Sequence, residues 1–124
     1  MIFDAGVLLA ILYEEPGAED ARALLLTAKM SAVNRAEVIT VLVRDGMPAE
    51  EADRHVAALM SHVIPLDTPL STLIGSLWPS TSPLGLSLGD RACLALALHL
   101  REPVLTTDTT WQKLEFPGEV RLLR

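Results

Sequence analysis

The sequence predicts a single α/β domain, residues 1–124, with a mostly parallel central sheet flanked by helices on both faces. Three observations carry this reading. Short apolar segments alternate with longer segments of helical periodicity, the pattern of a parallel sheet wrapped by its own crossovers. Only Phe3, Tyr13, Trp78, Trp111 and Phe116 are aromatic although half the residues are apolar, so Leu, Ala, Val and Ile fill the core. A chain of 124 residues matches one domain that buries roughly two-thirds of its extended surface.

Ile2-Phe3 reads as a first strand ending at Asp4, and Ala5 to Leu12 as an apolar helix that Glu14-Glu15-Pro16-Gly17 breaks. Ala18 to Ala28 reads as a second helix, with Pro16 suited to its start and acids early in the segment. Met30 to Val33 is a short buried strand, and Asn34 caps a helix running to Arg44, which Asp45-Gly46 closes. Pro48-Ala49-Glu50-Glu51 opens a helix with Val56, Leu59 and Met60 on one face; His62 to Leu66 is a strand, and Asp67 caps a helix from Thr68 to Leu77. Two prolines, a glycine and several hydroxyls make Trp78 to Leu86 an irregular loop. Ser87 caps a helix to Arg101 whose Leu94-Ala95-Leu96-Ala97-Leu98 stretch is apolar on all sides and therefore buried. Pro103 to Thr106 is a strand ending near Asp108, and Val120 to Leu123 is the last strand.

The net charge of −6 and pI of about 4.9 argue against a protein that grips nucleic acid by bulk positive charge, so any such contact is local. With Cys93 the only cysteine, there is no internal disulfide and no cysteine cluster for zinc; Cys93 reads as a small buried hydrophobe. No basic segment precedes the first apolar one, Asp4 arrives early, and no apolar run reaches the roughly 18 residues of a membrane span. A soluble, cytoplasmic protein is expected.

Four acids stand out. Asp4 and Asp108 lie at strand ends on the side where parallel sheets bind ligands. Glu37 and Asp90 lie early in helices that start from the same rim, in Asn34-x-x-Glu37 and Ser87-x-x-Asp90, each with the spacing of a capping box. Any one of them alone is explained as a cap. Together they would repel, each pair about 5 Å apart costing about 3 kcal/mol at an effective dielectric near 20. A hard divalent cation, Mg²⁺ or Mn²⁺, removes that cost because it selects oxygen ligands, and a cation-bound water is a stronger acid than bulk water, as phosphodiester hydrolysis requires. No Ser-His-Asp order and no glycine-rich phosphate loop competes with this reading.

The segments Ile2-Phe3-Asp4-Ala5, Ser31 to Val38, Pro83 to Ala92 with its Ser87-Leu88-Gly89-Asp90-Arg91-Ala92 core, and Leu105-Thr106-Thr107-Asp108 with Trp111 resemble the PIN-domain ribonucleases of the VapC toxin type, in order and over essentially the whole chain. The resemblance implies a PIN-like fold and a homodimeric toxin that cleaves RNA, often tRNA, with Mg²⁺ or Mn²⁺. It also implies a cognate VapB-type antitoxin that holds the toxin inactive, and a site made of Asp4, Glu37, Asp90 and Asp108. Thr106 matches a frequent hydroxyl position near the fourth acid, and Arg91 is a further candidate for phosphate, for an antitoxin carboxylate or for a structural salt bridge.

The pattern departs at Gly6, where such proteins usually carry Ser or Thr, so a hydroxyl supporting the first acid is missing there. That departure motivates an alternative, a PIN-fold binding module acting through antitoxin or RNA with weak or no cleavage. A phosphoryl-accepting receiver domain shares the length and the Asp after strand one, but the late-strand lysine it needs is replaced by Thr106-Thr107-Asp108.

Overall fold

A computed structural model describes all residues, 1–124. Its strands are β1 (Ile2–Phe3), β2 (Met30–Ser31), β3 (Val63–Ile64), β4 (Val104–Thr106) and β5 (Val120–Leu122). The helices are α1 (Ala5–Leu12), α2 (Ala18–Arg22), α3 (Ala32–Arg44), α4 (Ala49–Leu59), α5 (Thr68–Ser76), α6 (Trp78–Thr81) and α7 (Leu88–Leu100). Every strand pair is parallel: β1-β4-β5 form one sheet, β2-β3 another, and a parallel bridge between Ile2 and Lys29 joins them into the order 3-2-1-4-5. The predicted parallel α/β architecture is present.

The register explains why both faces are covered. Ile2 pairs with Val104 and Phe3 with Leu105, and successive side chains on a strand point to opposite faces. Phe3 and Leu105 accordingly join α1, α3 and α4 in a core with Val7, Leu8, Val38 and Val56, whereas Ile2 and Val104 join Leu94, Leu96 and Trp111 on the α7 side. The starts of β1, β2 and β4 are tied by Glu102, which accepts from the Met1 amino group at 2.6 Å and also pairs with Lys29. No helix is long and apolar enough to cross a membrane.

Four local expectations are corrected. The second helix stops at Arg22 and continues only as turns to Thr27; Gly17, at φ 91°, occupies its N-cap. The second strand ends at Ser31, and Ser31 caps α3 by accepting from Val33 N at 3.1 Å. Asn34 therefore caps nothing: it lies inside α3, fully buried, with its amide committed to a distant segment. Trp78 to Leu84 is helical, as α6 and one 3-10 turn, because Pro79 and Pro83 sit in first turns where their missing N–H groups cost nothing.

Candidate metal centre

The order 3-2-1-4-5 reverses between β1 and β4, and in parallel sheets such a reversal opens a crevice at the carboxyl ends of the strands. Asp4 follows β1 at that crevice. It caps α1, its Oδ1 accepting from Ala5 N at 2.9 Å, while its Oδ2 accepts from the hydroxyl of Thr106, the last residue of β4, at 2.9 Å. Only 7% of Asp4 is exposed. Burial lifts its pKa to about 6, against the opposing hydrogen bond from Thr106, and the charges of Asp90 and Glu37 push in the same direction as burial.

Asp90 is placed by the amino end of α7. The capping box expected at Ser87 is present: Ser87 Oγ accepts from Asp90 N at 3.1 Å and Ser87 N donates to Asp90 Oδ2 at 2.8 Å, which fixes the carboxylate at the helix mouth. Glu37 sits one turn deeper in α3 than the Asn34 cap predicted. Its pKa is also raised, first by burial and then by Asp90.

The contact between α3 and α7 decides where Glu37 goes. Asn34 Nδ2 donates to the carbonyl of Gly89 at 2.9 Å and to Glu37 Oε1 at 3.3 Å. Glu37 rests directly on Gly89, where an added Cβ would overlap its Oε1 and stand 2.6 Å from its Cδ. Gly89 and Asn34 thus shape the seat of Glu37; the sequence reading took Asn34 only as a helix cap and gave Gly89 no part of its own. A glycine in the first turn of an otherwise apolar helix, at a cost of about 1 kcal/mol relative to alanine, was the available signal of a close approach.

Three acids from three separate segments thus act on one another; burial pushes the Cys93 thiol well up, and all three acids push it further the same way. Asp108 exerts no such influence on Asp4 or Glu37. It caps a 3-10 turn, Oδ1 accepting from Thr110 N at 2.9 Å, and is linked to Asp4 through Thr106, whose hydroxyl accepts from Asp108 N at 3.1 Å. Arg91 turns away from the acids: Nη1 donates to Ile74 O on α5 at 3.2 Å, and no carboxylate of the chain pairs with it.

In their present rotamers no three of the acids surround a common point as a finished cation cage. The residues nevertheless fit a hard divalent ion. The donor set is all oxygen, its members repel, the buried Asn34 Oδ1 has no donor, and one carboxyl already holds its proton well above the usual range. The acids lining a concavity of about 640 Å³ between Glu14 and Arg22 differ: Glu14, Glu15, Glu19 and Asp20 are exposed to solvent and need no counter-ion.

Residues 1–117 match the family model described as the PIN domain. The chain belongs to the PIN domain family. A toxin-antitoxin complex from Klebsiella pneumoniae contains a similar chain, with 20% identity, TM-score 0.73, and coverage of 99% of this chain and 97% of that one. The DNA-bound VapBC of Salmonella typhimurium gives 15% identity and TM-score 0.75 over 99% and 97% of the two chains. VapBC-1 from nontypeable Haemophilus influenzae gives 19% and 0.70 over 99% and 98%. At these identities the likeness is one of fold. No curated protein matches the chain significantly.

Proposed function

We propose that this PIN domain is the toxin of a toxin-antitoxin pair, a ribonuclease that hydrolyses RNA phosphodiester bonds with Mg²⁺ or Mn²⁺. The observation that carries the proposal is the mutual repulsion of Asp4, Glu37 and Asp90 at the sheet's reversal point, with the Asp4 pKa at about 6. Family membership supports nuclease activity, and the toxin-antitoxin neighbours support an antitoxin of the VapB type as partner.

Asp4 and Asp90 are the ligands best held in place, because backbone N–H groups fix one oxygen of each and leave no freedom to relax away from a cation. Glu37, steered by Asn34, completes the set or orients the attacking water. Asp108, joined to Asp4 through one hydroxyl, acts at the margin, on a second ion or on water. The bound cation supplies the positive charge that draws a phosphate into an acidic crevice and acidifies a bound water. With a net charge of −6, substrate choice rests on shape and on arginines brought together by a homodimer.

The test is cleavage of tRNA by the purified, partner-free chain in Mn²⁺, Mg²⁺ or chelator. The expected result is cleavage with either ion and none with chelator. Metal-independent cleavage would remove the cation from the reading, whereas no cleavage of any RNA while a VapB-type partner still binds would replace the nuclease by the binding module.

A further inference from the structure

Gly6 bears on the site in a way the bare sequence does not reveal. A Cβ added at Gly6 would overlap Thr107 Oγ1 and would stand 3.9 Å from Asp4 Oδ2. The space beside Asp4 that a side chain at position 6 would enter is therefore already filled, by a hydroxyl delivered from the residue after β4. Thr107 is half-buried, and its hydroxyl is absent from the hydrogen bonds that engage its neighbours Thr106 and Asp108. Thr106 already donates to Asp4 Oδ2, which leaves Thr107 as the uncommitted hydroxyl next to position 6.

We propose that Thr107 is a positioning residue for the metal centre: its hydroxyl takes over, from the residue after β4, the role that a hydroxyl at position 6 would play beside Asp4. This rests on the nuclease reading above. With a cation held by Asp4, the hydroxyl would serve as an outer hydrogen-bond partner that orients the site, and such partners change metal affinity by roughly 10- to 100-fold when removed. Gly6 and Thr107 are then one coupled pair. The small residue at 6 is what admits the hydroxyl at 107, and a hydroxyl restored at 6 conflicts with it.

The experiment measures Mn²⁺ affinity by calorimetry, thermal stability without metal, and tRNA cleavage for Thr107→Val, Thr107→Ser, Gly6→Ser and the double variant Gly6→Ser/Thr107→Ala. Thr107→Val should weaken Mn²⁺ binding about 10-fold or more with an unchanged melting temperature, and Thr107→Ser should bind like the wild type. Gly6→Ser alone should lower both the melting temperature and the affinity, and the double variant should restore the melting temperature and bring Mn²⁺ affinity to within about threefold of the wild type. Thr107→Val binding Mn²⁺ as the wild type does, or a double variant no better than Gly6→Ser, overturns the pairing. Asp90→Asn separates this from the parent reading: if the wild type and Asp90→Asn bind Mn²⁺ alike, the metal centre itself is wrong and the role of Thr107 goes with it.

Discussion

Gly89→Ala should abolish RNA cleavage while leaving the chain as stable as before. A methyl group at this position overlaps the Glu37 carboxylate, and that carboxylate is the free end of a flexible side chain, so it swings away at small energetic cost. The α7 helix itself gains, since alanine is favoured over glycine in a helix by about 1 kcal/mol. Displacing a reacting or ligating group by about 1 Å costs on the order of 100-fold in rate, and here Glu37 also loses its seat beside Asn34. Single-turnover cleavage alongside a thermal melt checks this: the expected pair is a loss of at least about 100-fold with a melting temperature unchanged or raised by a few degrees. A variant that cuts at the wild-type rate would remove Glu37 from the site, and one that unfolds would make Gly89 a packing residue.

Asp4→Asn should likewise silence the enzyme, and it should make the metal-free chain more stable. The Asp4 carboxyl titrates near 6 in the folded chain against an ordinary 3.8, so the folded state binds the proton more tightly than the unfolded one. Stability arising from this group is thus full below the unfolded value and is lost as pH rises through 6. The ionised, buried carboxylate costs roughly 3 kcal/mol at neutral pH, of which about 1.4 kcal/mol is expressed between pH 5 and 7.5. Glu37, raised for the same reason, adds in the same direction. Glu102 and Asp45 are shifted the other way, and their contributions fall away only at lower pH. Urea unfolding in chelator should therefore show the wild type more stable at pH 5 than at pH 7.5. The asparagine substitution should raise stability at pH 7.5 and flatten this dependence. A destabilised variant, or a wild type that strengthens as pH rises over that interval, would mean that Asp4 is an ordinary helix cap and not a carboxylate awaiting a cation.

Much of this was written in the order of residues. The parallel sheet followed from apolar segments too short to be helices, and Asp4, Asp67 and Ser87 act as the caps their positions predict. The errors fell where local signals are ambiguous. Ala32 and Val33 suit a strand or a helix equally, and the tie is broken by Ser31, whose hydroxyl takes the cap and leaves Asn34 free to cross to Gly89. Prolines at 79 and 83 read as loop punctuation although both fit first turns. Gly89 and Thr107 are harder to read for a different reason: each matters through what it meets from far along the chain, Glu37 in one case and position 6 in the other, and only Gly89 leaves a trace, as a costly glycine early in a helix. Asp108 shows the converse. Its position after a strand marks it as a fourth acid, yet the folded chain engages it first as a cap.

The most direct test of the metal centre is an anomalous-scattering map from a crystal of this chain soaked in Mn²⁺. The account predicts a peak in the crevice between β1 and β4, bound by the carboxylates of Asp4 and Asp90 with Glu37 reached directly or through water. A peak confined to the exposed acids between Glu14 and Asp20, or no peak at all, would contradict it.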